Sequence, residues 1–226
     1  MEFTEIQQNL KAITATITDG CRLVAVSKYH PANAIQECYN LGQRVFGESH
    51  EQELRLKQAA LPEDIQWHFI GHLQTNKVKY IAPYITMIET VDSIKLLREI
   101  ERQGAKNNRC INVLLELHIA QEETKYGLTK DACRQLLEDG EWREMEHVRI
   151  CGLMTMASNT DNEEQIRQEF TEAAEFFDEL KERFFKDDTA FSERSWGMSG
   201  DYLIAQQCRS TLVRIGTAIF GERQYS

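Results

Sequence analysis

Eight short apolar runs recur along the chain, each followed by a stretch with helical spacing, and this alternation limits the fold more than any other feature. The runs are residues 22–27, 44–47, 66–70, 86–90, 111–119, 148–154, 194–198 and 212–216. They are strand-length, and Leu23 to Val26 has little polar content. The intervening segments read as helices. Pro31 stands near one helix start, and Ile35, Cys38 and Tyr39 form a face that ends by Gly42. Asp92-Ser93 precede Ile94, Leu97 and Ile100 as a cap precedes a stripe. Asn159-Thr160-Asp161 open the longest helix, in which Ile166, Phe170, Ala173, Phe177, Leu180 and Phe184 step by 4, 3, 4, 3 and 4. A strand followed by a helix, eight times over, predicts a closed parallel (β/α)8 TIM barrel. A doubly wound open sheet uses the same alternation and is the alternative, but the count of eight favours closure. Residues 4–17 predict an extra helix within a flanking segment 1–20, and 184–194 (FFKDDTAFSER) reads as a loop. With no linker or repeat, residues 1–226 are expected to form one domain.

The 226 residues carry 26 Lys and Arg against 36 Asp and Glu, a net charge of −10. Such an acidic balance argues against nucleic acid as the main partner, yet leaves room for a basic pocket that takes one phosphate. Cys21, Cys38, Cys110, Cys133, Cys151 and Cys208 include no C-x-x-C pair, and several lie in apolar runs. They are expected to be reduced in a cytoplasmic protein. The opening MEFTEIQQNL lacks the form of a signal peptide, and no apolar run has the length of a membrane span.

In such a barrel, function collects at the C-terminal ends of the strands. Lys28 stands just past the first run, in LVAVSKYHP. Its amine either snorkels to solvent or sits in a partly apolar mouth, where desolvation favours the neutral form that adds to an aldehyde. The segments after runs seven and eight, WGMSGD and VRIGTAIFG, are placed for a phosphate cup. Ser199 and Thr217 bring hydroxyls, Gly200 and Gly216 let backbone come close, and Asp201 can start a helix. The plainer reading is two ordinary turns. Arg214 lies inside the last run and needs a partner: a carboxylate such as Glu116, or a ligand. His68 and His72 have the i, i+4 spacing of a metal pair, but that spacing shares a face only on a helix, and here it leaves a strand for a loop. No metal site is expected. Glu48 and Glu116, at strand ends, are acids or hydrogen-bond partners. A lysine, a phosphate cup and an arginine suit an aldehyde with a phosphate arm, and pyridoxal 5′-phosphate (PLP) is the commonest such molecule.

The motifs VAVSKYHP, FGES, WHFIGHLQTNKVK, ETVDS, GLMTMAS, WGMSGDYLIA and STLVRIGTAIFGER, in this order, resemble the YggS/PROSC family of pyridoxal-phosphate homeostasis proteins, and the resemblance runs from residue 23 to 223. It implies a barrel like the N-terminal domain of alanine racemase that binds PLP without activity of its own and serves vitamin B6 balance. Lys28 matches the Schiff-base lysine, Ser199, Gly216 and Thr217 the phosphate-binding positions, and Arg214 the arginine facing the pyridine nitrogen. Asn76 matches a pocket asparagine, and Lys125 a lysine linked to cofactor transfer. One departure is Ser49, where the family usually has the asparagine of FGEN. A monomer or weak dimer is expected, with PLP as ligand and PLP-dependent apoenzymes as recipients, and the acidic charge and lack of an apolar span give no expectation of a nucleic-acid or membrane partner. A weak PLP-dependent amino-acid racemase, or a Schiff-base aldolase, is the enzymatic alternative.

Overall fold

A computed structural model describes residues 4–120 and 126–222. Every one of the eight apolar runs is a strand: β1 (Arg22–Val26), β2 (Val45–Glu48), β3 (Gln66–Phe69), β4 (Met87–Val91), β5 (Ile111–Leu117), β6 (Val148–Thr155), β7 (Glu193–Ser195) and β8 (Leu212–Ile215). All neighbours pair in parallel, in sequence order, and β8 pairs back onto β1. The sheet is therefore a closed barrel and not the open alternative. Helices fill the crossovers: α2 (Ala32–Asn40), α3 (Glu51–Ala60), α4 (Val78–Ile81), α5 (Ile94–Lys106), α6 (Lys130–Glu138), α7 (Glu163–Phe184), α8 (Tyr202–Gln207) and α9 (Thr217–Phe220). No described helix is long and apolar enough to cross a membrane.

The expected extra helix is α1 (Glu5–Thr14), shorter than 4–17 because Thr4 caps it and the chain turns at Ala15. It packs against α2 and α9, with Leu10 buried and Asn9 Nδ2 donating to the Ile219 carbonyl at 3.2 Å. Ser93 caps α5 as expected, its Oγ accepting from the Leu96 N–H at 3.4 Å. The cap of α7 falls later than expected, at Asn162, whose Oδ1 accepts from Glu164 and Gln165 N–H at 3.2 and 3.3 Å. The loop after α7 is not merely a polar connection: Phe185 and Phe191 stack 4.1 Å apart, fully under the helix layer.

Strand alternation sorts the core into two shells. Ala25, Val113, Leu115, Leu153, Val213 and Ile215 face outward and meet the helix stripes, including Ile166, Phe170, Ala173, Phe177 and Leu180 of α7. Val24, Met87, Leu114, Cys151, Met154 and Leu212 fill the barrel's interior floor. Gly152 permits one close approach. It holds φ +151°, and a Cβ there would lie 1.9 Å from the Glu193 carbonyl oxygen of β7. Phe170 is wholly buried between helix and sheet, so Phe170→Ala is expected to cost about 3–5 kcal/mol. The midpoint of urea unfolding checks this; a change below 1 kcal/mol would contradict the packing described.

Candidate functional site

The same two-residue period that floors the barrel carries β1 up to its mouth. Val24 is in the interior cluster, Val26 lies one step above it at the strand's end, and the turn that follows brings Lys28 to the same cavity. Along β8 the inward series is Leu212, Arg214 and Gly216. The register pairs Val24 with Arg214, so Val26 comes beside Gly216. A Cβ on Gly216 would stand 3.0 Å from the Val26 carbonyl oxygen. Only glycine leaves that corner open.

These two series meet at a cavity of about 230 Å³ at the C-terminal end of the barrel. Lys28, Ser199, Gly200, Arg214, Gly216 and Thr217 all line it. Ser199 Oγ reaches the Ala218 N–H at 3.5 Å, which ties the loop after β7 to the start of α9. Asp201 does stand at a helix start, the N-cap position of α8, but its Oδ1 accepts from the Met198 N–H at 2.5 Å and so closes its own loop. The walls are His30, Val26, Ile70, Met156 and Met198, which sequence reasoning did not single out. His30 stacks on Phe220 with ring centroids 5.1 Å apart. The signal for these residues was positional: each sits at or just beyond a strand's C-terminal end.

Below the mouth, a polar layer replaces apolar packing. Arg214 is 4% exposed. Its Nη1 donates to the Ser195 carbonyl at 2.7 Å and to Ser195 Oγ at 2.6 Å, and its Nη2 donates to the Thr155 carbonyl at 2.8 Å. Its ion-pair partner is Glu89, with Nη1 3.7 Å from Oε2. Glu116, the partner expected from sequence, makes no such bond; it contributes only through its charge at a distance. The reason is register: Glu89 on β4 also accepts from Ser195 Oγ and from His68 Nδ1, both at 2.6 Å, so one carboxylate gathers three strands. Burial alone would raise Glu89, but the bond and charge of His68, the charge of Arg214 and the Ser195 bond outweigh it and hold the carboxyl below the usual range. His68 is thus committed to Glu89, while His72 lies 3.6 Å from Asp92. Among the described residues no group of three or more metal-ligating side chains occurs.

The two other acids differ. Glu48 faces outward and is a hydrogen-bond partner, its Oε1 accepting from Lys57 Nζ at 2.7 Å and Ser27 Oγ at 2.6 Å. Burial pushes it up to about 7. Glu116 is also pushed up to about 7, first by burial, then by the charge of Asp92, with Arg214 opposing. Its Oε2 is buried with no hydrogen-bond partner.

Ser49 and Asn76 lie elsewhere. Ser49 lines a second cavity of about 250 Å³ with His50, Glu51, His72, Gln74 and Lys77. A Cβ on Gly71 would stand 2.4 Å from the Ser49 carbonyl oxygen, which shows how tightly the β2 and β3 loops cross there. Asn76 is exposed on the 3-10 turn Thr75–Lys77 and lines neither cavity, although Gln74 and Lys77 on either side of it line the second. The structure therefore does not bring it to Lys28. Lys125 lies outside the described residues.

Fold and site together define a parallel eight-stranded barrel with a basic, glycine-cornered cleft at its C-terminal mouth. The family described as "Alanine racemase, N-terminal domain" matches residues 2–224. The pyridoxal phosphate homeostasis protein of Aquifex aeolicus is 40% identical over 205 residues, covering 90% of this chain and 88% of its own. The human protein of that name is 37% identical over 219 residues, covering 91% and 78%. PipY of Synechococcus elongatus, solved with PLP bound, superposes with a TM-score of 0.86 at 32% identity, over 96% of this chain and all of PipY's. The Bartonella henselae alanine racemase shares the fold at a TM-score of 0.73 and 16% identity, over 97% of this chain and 59% of the racemase's. The chain belongs to the family of pyridoxal phosphate homeostasis proteins, built on the barrel of the alanine racemase N-terminal domain.

Removing Arg214 alone strands a buried carboxylate. Arg214→Leu is expected to cost about 3–5 kcal/mol in urea unfolding, and adding Glu89→Gln to recover part of that loss; strict additivity of the two would exclude the pairing. Glu116 makes a pH prediction. Its folded value, about 7, exceeds the usual 4.5, so the fold favours the neutral acid. Its contribution is complete below about 4.5 and is lost as pH rises through 7. Glu116→Gln should therefore gain stability relative to wild type between pH 5 and 8, by about 1–3 kcal/mol. A pH-independent difference would refute the assignment.

Proposed function

We propose that this protein binds PLP through Lys28 and takes part in intracellular PLP homeostasis as a non-catalytic carrier. The observation that carries this is convergence: a lysine after β1, a buried arginine within β8 and a Ser/Gly/Thr corner after β7 and β8 open on one cavity. The donor set fits the cofactor. Lys28 brings an amine to the cavity, and Arg214 brings a guanidinium whose charge Glu89 balances from below. The open corner at Gly216, with the hydroxyls of Ser199 and Thr217 beside it, is a cradle that a Cβ would fill.

When bound, PLP supplies an aldehyde that an amine can capture and a ring that can withdraw electrons. Lys28 Nζ would hold the aldehyde carbon covalently, and Ser199, Gly216 and Thr217 would hold the phosphate. Arg214 would face the pyridine nitrogen. Its guanidinium has donors only and keeps its charge, so it can bond to a bare ring nitrogen but cannot accept a proton from it. That arrangement orients the ring while weakening it as an electron sink, which suits storage better than turnover. The relatives named for PLP homeostasis support the same reading. The likeness to alanine racemase is one of fold, and it keeps weak racemisation as the alternative that an assay for D-amino acids separates.

The proposed carrier acts as a cytoplasmic monomer that hands PLP to apoenzymes. The cysteines fit a reducing compartment: all six are free, and burial pushes the Cys38 and Cys133 thiols up to about 12. Adding PLP to the purified protein should give a visible absorption band, and borohydride should then fix the label on Lys28. Lys28→Ala should lose the band. Labelling scattered over surface lysines, or sustained Lys28-dependent production of D-amino acids, would overturn the carrier reading.

A further inference from the structure

Lys28 stands at the second position of a four-residue turn, closed by the His30 N–H on the Ser27 carbonyl at 3.1 Å. The third residue, Tyr29, has φ +66°. A turn of this kind normally takes glycine or asparagine there. Among the described residues the other non-glycine positive-φ positions, Asn108 and Arg209, follow the ends of α5 and α8, where left-handed backbone is common. Tyr29 has no helix end to explain it. The conformation persists only if its surroundings impose it.

Those surroundings come from α3. Lys57 is 5% exposed, and its ammonium donates to the Ser27 carbonyl, to Glu48 Oε1 and to Glu53 Oε1, each at 2.7 Å. All three of its protons are thus used. The same Glu53 oxygen accepts the Tyr29 N–H at 2.7 Å. Ser27 Oγ is held by Glu48 from the side, and the Tyr29 ring packs on His50 at 5.2 Å. One lysine–glutamate pair therefore grips the carbonyl just before Lys28 and the N–H just after it. An apolar residue would attach α3 to the barrel at less desolvation cost. What the ion cluster adds is a fixed orientation of the two peptide groups that flank Lys28.

We propose that Lys57 and Glu53 are positioning residues for Lys28, aiming its amine into the cavity so that it captures an aldehyde. This rests on the reading of Lys28 given above. In the capture, Lys28 Nζ forms a C=N bond to the aldehyde carbon, and the carbonyl oxygen leaves as water with the two amine hydrogens.

The test compares wild type with Lys57→Met and Glu53→Ala for two quantities. One is the rate at which PLP becomes borohydride-fixable on Lys28. The other is the affinity for pyridoxamine phosphate, which has the ring and phosphate but no aldehyde. Misaiming the amine should slow capture about tenfold or more and leave pyridoxamine phosphate binding within about twofold of wild type. A merely structural role would weaken both ligands together. Such a parallel loss, or capture at the wild-type rate in folded variants, would overturn the proposal. Should Lys57→Met fail to fold, Glu53→Ala decides, since Glu53 lies nearer the surface, with 23% of its side chain exposed. If wild type itself does not label Lys28, the function reading falls and this inference with it; labelled wild type with unaffected variants overturns the inference alone.

Discussion

Pairing of β8 with β1 is the contact on which everything else depends. Until those two strands meet, Lys28 and the Arg214–Thr217 segment are separated by most of the chain. The register Val24 to Arg214 and Ala25 to Ile215 then brings both alternations into phase. Outward residues join the helix shell, and inward residues climb from an apolar floor through a charged layer to an open mouth. A slip by one residue would turn Arg214 into the helix shell and Ile215 into the barrel. Because the first and last strands set this register, the cavity exists only where the barrel is closed.

The charged layer explains how a barrel interior tolerates an arginine. Isolated, a guanidinium in that position would be prohibitive. Here the contacts compensate one another: Glu89 balances the charge, His68 and Ser195 occupy its oxygens, and the Ser195 and Thr155 carbonyls accept from Nη1 and Nη2 of the guanidinium. Such a network costs stability relative to apolar packing, and what it secures is a rigid direction for Arg214. Glu116 stands apart with one oxygen unbonded, and burial, with the charge of Asp92 beside it, pushes its carboxyl up to about 7.

Much of this was legible in the sequence, and the division follows from what pattern can encode. Strand count, closure and the α7 stripe follow from local periodicity, which one chain segment carries by itself. Lys28, Ser199, Arg214, Gly216 and Thr217 could be named because each sits at a strand's end, where barrels gather their chemistry. Partners across the barrel are another matter. Glu89, rather than Glu116, pairs with Arg214 because of the strand register around the barrel, which no local spacing reveals. Asn76 belongs to a motif contiguous with His68 and His72, yet it is exposed while Gln74 and Lys77 beside it line the second cavity. Lys57 looks like an ordinary helix lysine until α3 is laid against β1 and β2.

The site thus has two differently supported halves. The proposed anion corner is made of backbone, hydroxyls and the absence of a Cβ at Gly216, in the loops that the β8–β1 register brings together. Its lysine depends on a turn that the backbone of Tyr29 resists and that α3 enforces with a buried ion cluster. A carrier needs these halves to be separable. It must recognise the phosphate of any ligand that arrives, and it must hold the aldehyde by a bond that can later be given up. On the proposed reading, placing the amine on a turn held by three side chains, rather than inside the strand ladder, would let the covalent half be tuned or disturbed without dismantling the half that binds.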